Sequence, residues 1–346
     1  MNKKLIAAAL AGAFIAPVAM AEVQIYGAVD VSVESVSANG AANSANDVNS
    51  RTRVTSNTSK IGFKGSEDLG SGLKAIWQVE QGVQMDGSGT DTFATRNSFV
   101  GLEGGFGKVL AGRHDSAYKT LAAVVNPLPN GVADICGGGT TNSLFCRGAT
   151  RMVNSAHYFS PSFSGFSAGM SYGTDEARTA DTNKDVYSLA VQYKANGVHA
   201  TVGYEKRNDS IAKGYDTDLW QVGANYTFGD TTVGAGFERQ NDQRVGMSDK
   251  TQNSWTVGAK HKMGAIGLGL AYVKLNESES NAKDDASQWT LAATYDLSKA
   301  TMAYGYFTRI DNNDGAARNF ALNSLATGVA AGSNPTAFGV GLRHSF

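Results

Sequence analysis

Long hydrophobic runs are nearly absent from this sequence. Only residues 5–18 form an extended apolar stretch, and no later segment approaches the roughly 20 consecutive apolar residues of a membrane-spanning helix. Proline is also rare, with 5 residues against 41 glycines. The shortage of helix-length apolar runs and the abundance of glycine favour a chain made of strands and tight turns.

The chain also lacks an excess of charge of one sign. It has 30 Lys and Arg against 31 Asp and Glu, which gives no reason to expect nucleic acid as a partner. Cysteine is limited to Cys136 and Cys146, and no set of further ligands at close spacing flanks them, so no metal or cofactor site is predicted. In an exported protein these two cysteines are expected to form a disulfide.

The N-terminus has the layout of an export signal. A short basic segment, MNKK, precedes the apolar residues 5–18, and the small residues of a cleavage site follow as AMA at 19–21. The alternative interpretation is an N-terminal membrane anchor, but the apolar stretch is shorter than a membrane-spanning helix requires. The sequence therefore predicts a signal peptide at 1–21 and a mature domain at 22–346.

Strict alternation of apolar and polar residues runs through the rest of the chain. In WQVGANYTF at 220–228, Trp220 and every second residue after it are apolar or aromatic, whereas the intervening residues are polar or glycine. A period of two predicts a strand with one apolar face. The same pattern recurs at 187–193, 198–204, 233–237, 255–261, 266–272, 289–295 and 302–306.

The connections between these strands alternate between short and long. Short turns are predicted at 69–72, 104–107, 161–165, 195–197, 229–230, 263–265 and 297–299. Long polar loops are predicted at 37–58, 86–95, 116–150, 176–184, 208–219, 241–253, 278–286 and 311–336. Seven short turns and eight long loops require sixteen strands, an even number that leaves both chain ends on the short-turn side.

Three features favour a membrane-spanning barrel over a secreted soluble β-sandwich, which shows similar alternation. Most predicted strands run about ten residues, the length that crosses a bilayer when tilted. Aromatic residues cluster at the ends of the apolar faces, as they do at membrane interfaces. Sixteen strands also close around an aqueous channel. The predicted fold is therefore an all-β, 16-stranded antiparallel transmembrane β-barrel.

Four segments resemble the trimeric porins of beta-proteobacteria, the Neisseria and Burkholderia type. VQIYGAVD at 23–30 is similar to that family's first strand. SKIGFKGSEDLGSGLKAIWQVE at 59–80 and RNSFVGLEGGFGKVLAGR at 96–113 resemble its second to fifth strands. GVGLRHSF at 339–346 resembles its last strand, which ends in phenylalanine. The order of these segments and the loop plan agree with the family along the whole mature chain.

This resemblance implies a homotrimer in the outer membrane that allows passive diffusion of ions and small hydrophilic solutes. Phe346 is implied to be part of the signal read by the barrel assembly machinery, and the outer-membrane lipid and lipopolysaccharide are the expected surroundings. The third long loop, 116–150, is implied to fold into the pore. Two features depart from the family: Asp134 is the only Asp or Glu in this loop, and a disulfide within the loop is not general.

A pore selects by steric exclusion at a constriction and by the field of charges on its walls. The resemblance implies that basic residues at Lys60, Arg96 and Arg113 line the wall opposite the third loop. Alternation places Lys60 on the polar face, and it places Arg96 and Ser98 inward with Phe99 outward. Further lumen charges are expected at Lys64, Lys74, Asp30 and Glu80.

Asp134 is the expected acidic partner of this wall, on the loop itself. Lys119 and Arg147 are basic residues of the same loop. Because basic groups then outnumber acidic ones at the narrowest section, a modest anion preference is expected.

No enzymatic site is predicted. GFSAG at 165–169 matches the G-x-S-x-G motif, but it opens a strand and no helix follows it. His114, Asp115 and Ser116 are adjacent in sequence, whereas catalytic triads assemble from separate segments. The alternatives to a general porin are a substrate-selective channel, which would carry a run of aromatic residues through its lumen, and an outer-membrane hydrolase.

Overall fold

The computed structural model describes residues 22–87, 92–279 and 282–346. The predicted signal peptide lies outside the described residues. A single antiparallel sheet contains all the strands of the described ranges. These strands are β1 Glu22–Asn39, β2 Val48–Ser56, β3 Lys60–Gly70, β4 Leu73–Gly82, β5 Ser98–Gly104, β6 Gly107–Asp115, β7 Arg151–Phe159, β8 Phe166–Gly173, β9 Val186–Ala195, β10 Val198–Arg207, β11 Thr217–Phe228, β12 Thr231–Asp242, β13 Lys250–Met263, β14 Ile266–Leu275, β15 Ala286–Asp296, β16 Thr301–Asn312 and β17 Asn334–Ser345.

Helical structure among these residues is limited to a 3-10 turn at Ser44–Asn46 and a one-turn helix, α1, at Ala117–Thr120. No helix in the described ranges is both long enough and apolar enough to cross a bilayer.

The seventeen strands make sixteen barrel crossings because β2 and β3 are two halves of one crossing. Both pair with β1: Ser56 of β2 lies opposite Val31, and Lys60 of β3 lies opposite Ala28. The short break between the two strands shifts the register along β1 by one residue. The predicted 16-stranded barrel is confirmed.

The first loop is shorter than the sequence predicts. Most of the predicted loop 37–58 is strand, because β2 pairs with the upper half of β1, and only residues 40–47 connect them. The sequence of β2, VNSRTRVTS, has no regular apolar face. Alternation therefore gives no signal for a strand that extends to the barrel rim, where polar residues can lie on both sides.

The barrel closes by pairing its first strand with its last. β1 and β17 pair over twelve residues, from Ala28 opposite Ser345 to Asn39 opposite Asn334. Closure continues to the terminal residue, since the backbone of Phe346 exchanges hydrogen bonds of 2.8 and 3.1 Å with Gly27. No open sheet edge is left at this seam, as the hydrocarbon region of a membrane requires.

The outer face is apolar and is bordered by two bands of aromatic rings. Near the long-loop ends of their strands lie Tyr172, Tyr187, Tyr204, Trp220, Trp255, Tyr272 and Trp289, which we call the upper girdle. Neighbouring members are in contact: the ring centroids of Tyr272 and Trp289 are 4.4 Å apart, and those of Tyr204 and Trp220 are 4.5 Å apart. Phe166 and Tyr193 form a similar pair near the short turns, at 4.8 Å. Such paired bands mark the two interfaces of a membrane.

Deleting Phe346 should strongly reduce the yield of folded barrel. The deletion removes two backbone hydrogen bonds and an outward aromatic ring at the seam, and unpaired backbone groups cost several kcal/mol each in hydrocarbon. The folded fraction is measured by heat-modifiable mobility in SDS electrophoresis. Phe346→Tyr is the matched control and should assemble normally. Normal yield from the deletion would contradict the importance of this seam.

Candidate functional site

The third loop, residues 116–150 between β6 and β7, folds into the barrel. It begins with α1, in which Ala117 and Tyr118 are fully buried. The backbone N–H of Ala117 donates to Ser171 Oγ at 3.0 Å, and that of Tyr118 donates to Ser188 Oγ at 2.9 Å. These serines lie on the inner faces of β8 and β9, so the loop is attached to the wall from its first turn.

A row of glycines then allows the loop backbone to lie directly on the inner wall. At least one inward glycine occurs on each of five consecutive strands, β10 to β14, and those nearest the loop are Gly203, Gly223, Gly234, Gly258 and Gly269. A Cβ on Gly223 would lie 2.4 Å from the Ala123 carbonyl oxygen, and one on Gly258 would lie 2.8 Å from that of Val125. We call this row the glycine track. No larger residue fits between the wall and the loop at its closest points.

Beyond the track the loop reaches the far side of the barrel. Thr290 of β15 donates to the Ala133 carbonyl oxygen at 3.1 Å. Gly131 lies against Asn57, which connects β2 to β3, and a Cβ there would be 2.9 Å from Asn57 Oδ1. The loop therefore covers the wall from β8 round to the β2–β3 junction. The inner faces of β3 to β7 border the space that remains open.

The last part of the loop, residues 136–150, returns toward β7, and we call it the returning part. It is attached to the wall by a buried carboxylate. Glu238, fully buried on β12, accepts hydrogen bonds from Tyr118 Oη at 2.7 Å and from Arg147 Nε at 2.7 Å. The Arg147 backbone N–H also donates to this carboxylate, at 3.0 Å. One carboxylate thus joins both ends of the loop to the wall. Arg147, a basic residue of the loop, is neutralised here.

The structure joins Cys136 and Cys146 within the returning part. They are 10 positions apart in the sequence, and the chain-entropy estimate for closing so short a loop is on the order of 3 kcal/mol. Mass spectrometry of unreduced protein taken directly from the outer membrane should therefore find no thiol that can be alkylated, whereas reduced protein serves as the positive control. Two alkylatable cysteines in the unreduced sample would contradict this prediction.

The eighth loop, residues 313–333, covers the third loop from the barrel mouth. Phe320 is fully buried in one apolar cluster with Leu144 and Phe145 of the third loop. The Arg318 guanidinium donates to the Thr141 carbonyl oxygen. The sequence predicts an ordinary polar loop here, and buried Phe320 is the residue that could have indicated packing.

Glu80 organises the first group of charges on the open wall. Its carboxylate lies 3.0 Å from Lys60 Nζ and 2.6 Å from Arg96 Nε, and it accepts a hydrogen bond from Tyr26 Oη at 3.0 Å. Both cationic side chains remain partly exposed, at 28% and 21%. Two predicted constriction residues, Lys60 and Arg96, are thus brought together by a predicted lumen acid.

Asp115 organises a second group beside the first. Its Oδ1 lies 3.0 Å from both Lys119 Nζ and Arg151 Nε. Lys119 is also close enough to Arg96 for their charges to interact. The two groups form a continuous band of Lys60, Arg96, Lys119 and Arg151 around Glu80 and Asp115, which we call the basic band. Four cations surround two acids, so the band is net positive.

Arg113 forms no ion pair with the acids of this band, although its charge lies within electrostatic range of Asp115 and Arg151. Arg113 lies opposite Ser98 on β5 and shares an outer depression with Val153, Ala156 and Tyr172. Alternation from Val109, which is exposed on the outer face, gives Arg113 the same outward direction. Arg151, which neither alternation nor the resemblance singles out, lies in the band instead.

Ser98 and Phe99 also differ from their predicted orientation. The Phe99 ring contacts the His114 ring, at a centroid distance of 5.3 Å, and His114 contacts His157, which is buried on the inner face. Phe99 therefore faces inward and Ser98 outward. The irregular residues before β5 break the alternation that had been extended from Arg96.

Asp134 is not exposed to the pore. It is 6% exposed, and it accepts hydrogen bonds from the backbone N–H groups of Asn130 and Cys136, both at 2.7 Å, and from Asn126 Nδ2 at 2.6 Å. A carboxylate that caps backbone donors of its own loop stabilises the loop. Asp115 and Glu80 are therefore the acids that face the basic band.

The other predicted lumen charges lie outside the band. Asp30 is buried and accepts a hydrogen bond from Tyr304 Oη at 2.5 Å, with Arg343 3.5 Å away. Lys64 lies over the Tyr26 ring, 5.1 Å from its centroid. Lys74 is exposed near the start of β4, by a short turn.

Comparisons with known proteins agree with this architecture. Residues 7–315 match the family described as Gram-negative porin. The chain is 30% identical to outer membrane porin protein 32 of Delftia acidovorans. It is 32% identical to major outer membrane protein P.IB of Neisseria meningitidis serogroup B. Both alignments cover 100% of this chain and 100% of the relative.

A solved structure, the anion-selective porin from Comamonas acidovorans, superposes with a TM-score of 0.79 at 28% identity. It covers 94% of this chain and 100% of its own. The relatives that share the full length of this chain are outer-membrane proteins, which locates this protein in the outer membrane. The sequence resemblance is confirmed: this chain belongs to the Gram-negative porin family, whose members are channels rather than enzymes.

Proposed function

We propose that this outer-membrane porin conducts ions and small hydrophilic solutes with a modest preference for anions at low salt, set by the basic band. The observation that supports the proposal is the ratio of four cations to two acids on the wall that the third loop leaves open. Each acid lies between two cations, so the band keeps unbalanced positive charge.

Local charge outweighs the net charge of the chain inside the channel. The chain as a whole has a formal charge of −1, but many of its acids lie on exposed loops. Charges exposed to water are screened beyond about 8 Å at physiological ionic strength. Inside a channel with low-dielectric walls, the field of nearby charges is focused on the permeating ion. The preference should therefore weaken as salt rises.

Reversal potentials in a potassium chloride gradient across planar bilayers test the proposal. The unmodified protein should show anion preference, and the double variant Arg96→Glu with Arg151→Glu should shift toward cation preference. Lys213→Glu with Lys283→Glu is the matched control, because it changes the net charge equally at exposed loop positions. Clear cation selectivity of the unmodified channel would contradict the proposal.

The remaining assignments follow the resemblance to the trimeric porins. We propose a homotrimer, an export signal at 1–21, and recognition of Phe346 by the barrel assembly machinery. Light scattering of the detergent-extracted protein measures the trimer, and N-terminal sequencing of the mature protein should begin at Glu22. Inhibition of the conductance by one particular sugar would instead favour the substrate-selective alternative.

A further inference from the structure

The outer surface carries a depression where β6 and β7 bend into the barrel. Two backbone irregularities mark the bend: Gly112 has φ +137°, and Asn154 has φ +49°. The pairing of the two strands shifts register between Gly112 and His114. The depression has a volume of about 640 Å³, and Arg113 lies in it with Val153, Ala156, Tyr172 and Thr174.

Arg113 makes no hydrogen bond and no ion pair within the part of the chain that the structure describes, although its charge interacts at longer range with those of Asp115 and Arg151. Its Nε is buried and makes no hydrogen bond, and no Asp or Glu of those residues lies within 4.0 Å of its guanidinium. Burying a guanidinium N–H without an acceptor is costly, more so than for a neutral donor. An acceptor from outside the chain would remove this cost.

Three outward cations near the long-loop ends are paired, whereas Arg239 of β12 is exposed and forms no ion pair among the described residues. Lys206 lies 3.2 Å from Asp216, Lys274 lies 2.5 Å from Asp285, and Arg309 lies 2.6 Å from Asp311. Arg113 differs from the paired cations because no carboxylate forms an ion pair with it, and from Arg239 because its Nε is buried away from water. Glu176 borders the depression, but it is exposed and forms no ion pair with Arg113 among the described residues.

The position of Arg113 indicates what that group is. Tyr172, beside it in the depression, belongs to the upper girdle and donates through its hydroxyl to Asp185 at 2.9 Å. The upper girdle, on the long-loop side, lies at the outer of the two interfaces of the membrane. Arg113 is two residues from the end of β6, at that level. The lipid facing this surface is lipopolysaccharide, whose phosphates lie at the interface.

We propose that the Arg113 depression binds a phosphate group of lipopolysaccharide. A guanidinium offers a planar fork of donors that matches phosphate oxygens, and such charge-assisted hydrogen bonds are among the stronger ones in proteins. Val153 and Ala156 provide apolar surface beside it for an acyl chain. The proposal rests on the outer-membrane location and not on the anion preference.

The test uses folded full-length porin that is prepared without lipopolysaccharide and then titrated with lipopolysaccharide. Native mass spectrometry counts the bound lipid molecules. Only heat-modifiable, folded protein is measured. We expect Arg113→Gln to weaken binding about tenfold, as for loss of a charge-assisted hydrogen bond. Arg113→Lys should give an intermediate loss, because it keeps the charge but not the fork. Arg309→Gln, an outward cation that is already paired, is the matched control and should bind normally.

Two further lipid probes identify the ligand group. Enzymatically dephosphorylated lipopolysaccharide should bind the unmodified protein as weakly as intact lipopolysaccharide binds Arg113→Gln, and phosphatidylglycerol should not compete. Equal binding of the dephosphorylated lipid, effective competition by phosphatidylglycerol, or unchanged binding by Arg113→Gln would each overturn the proposal. So would loss of trimer in the Arg113→Gln variant without lipid, because the partner would then be a second copy.

Conductance separates this inference from the proposed function. Because Arg113 faces outward, Arg113→Gln should have the reversal potential of the unmodified channel. A shift would mean that Arg113 faces the pore and would overturn the lipopolysaccharide site. Cation selectivity of the unmodified channel would contradict only the proposed anion preference.

Discussion

Replacing Glu238 with alanine should detach both ends of the third loop from the wall and increase the conductance noise of the open channel. Glu238 is fully buried and accepts hydrogen bonds from Tyr118 and Arg147. Removing it leaves the Arg147 guanidinium, 6% exposed, without its counter-ion. Breaking a buried ion pair in this way typically costs about 3–5 kcal/mol.

Two measurements check this expectation. Single-channel recordings should show frequent transitions between conductance levels, and the temperature at which the barrel loses its heat-modifiable mobility should fall. Glu238→Gln should have a smaller effect, because an amide oxygen can still accept from Tyr118. Glu67→Ala removes an exposed carboxylate near a short turn and is the control. A quiet channel of normal thermal stability would show that the loop does not depend on Glu238.

Replacing Gly223 with valine should push the third loop away from the wall and narrow the channel. Even the first carbon of a side chain would lie 2.4 Å from the Ala123 carbonyl oxygen, so the loop backbone must move. The movement is toward the open side, where the basic band lies. Overpacking of this kind costs about 1–3 kcal/mol, and we expect a clear decrease in single-channel conductance.

Gly305→Val provides the matched control for the glycine track. Gly305 lies on β16, and its nearest neighbours would be 3.7 Å from an added Cβ, an ordinary contact distance. Gly258→Val should behave like Gly223→Val, since it lies on the same track. Unchanged conductance in both track variants would mean that the loop does not lie against these glycines.

The sequence predicts the barrel well because alternation is a local property of each strand. Trp220 to Phe228 shows its outward face directly in its sequence, and β11 has that face. Alternation fails where the backbone is irregular. Ser98 follows residues without regular structure, and these break the alternation extended from Arg96. Sequence parity cannot reveal an irregularity of this kind. Arg113 is a different case, because only the resemblance to the porins placed it in the constriction, whereas alternation from Val109 gives its outward direction.

The candidate site depends on contacts between distant segments, which the sequence does not show. Asp134 is acidic and lies in the correct loop, but its hydrogen bonds go to that loop's own N–H groups. Arg151 follows the third loop and Asp115 precedes it, so the two meet only because the loop returns to its starting point. An acidic residue just before a long loop and a basic residue just after it form a sequence pattern that would have predicted this ion pair.

The position of the third loop also has a consequence for the order of assembly. The loop lies between β6 and β7, yet Ala133 accepts its hydrogen bond from Thr290, 157 residues further along the chain. Its final contacts therefore cannot form until nearly all strands exist, and contacts between such distant residues form slowly. Once β1 and β17 have joined, the loop is enclosed. Maturation of the pore is thus tied to the last steps of membrane insertion, after most of the lipid-facing wall has been built.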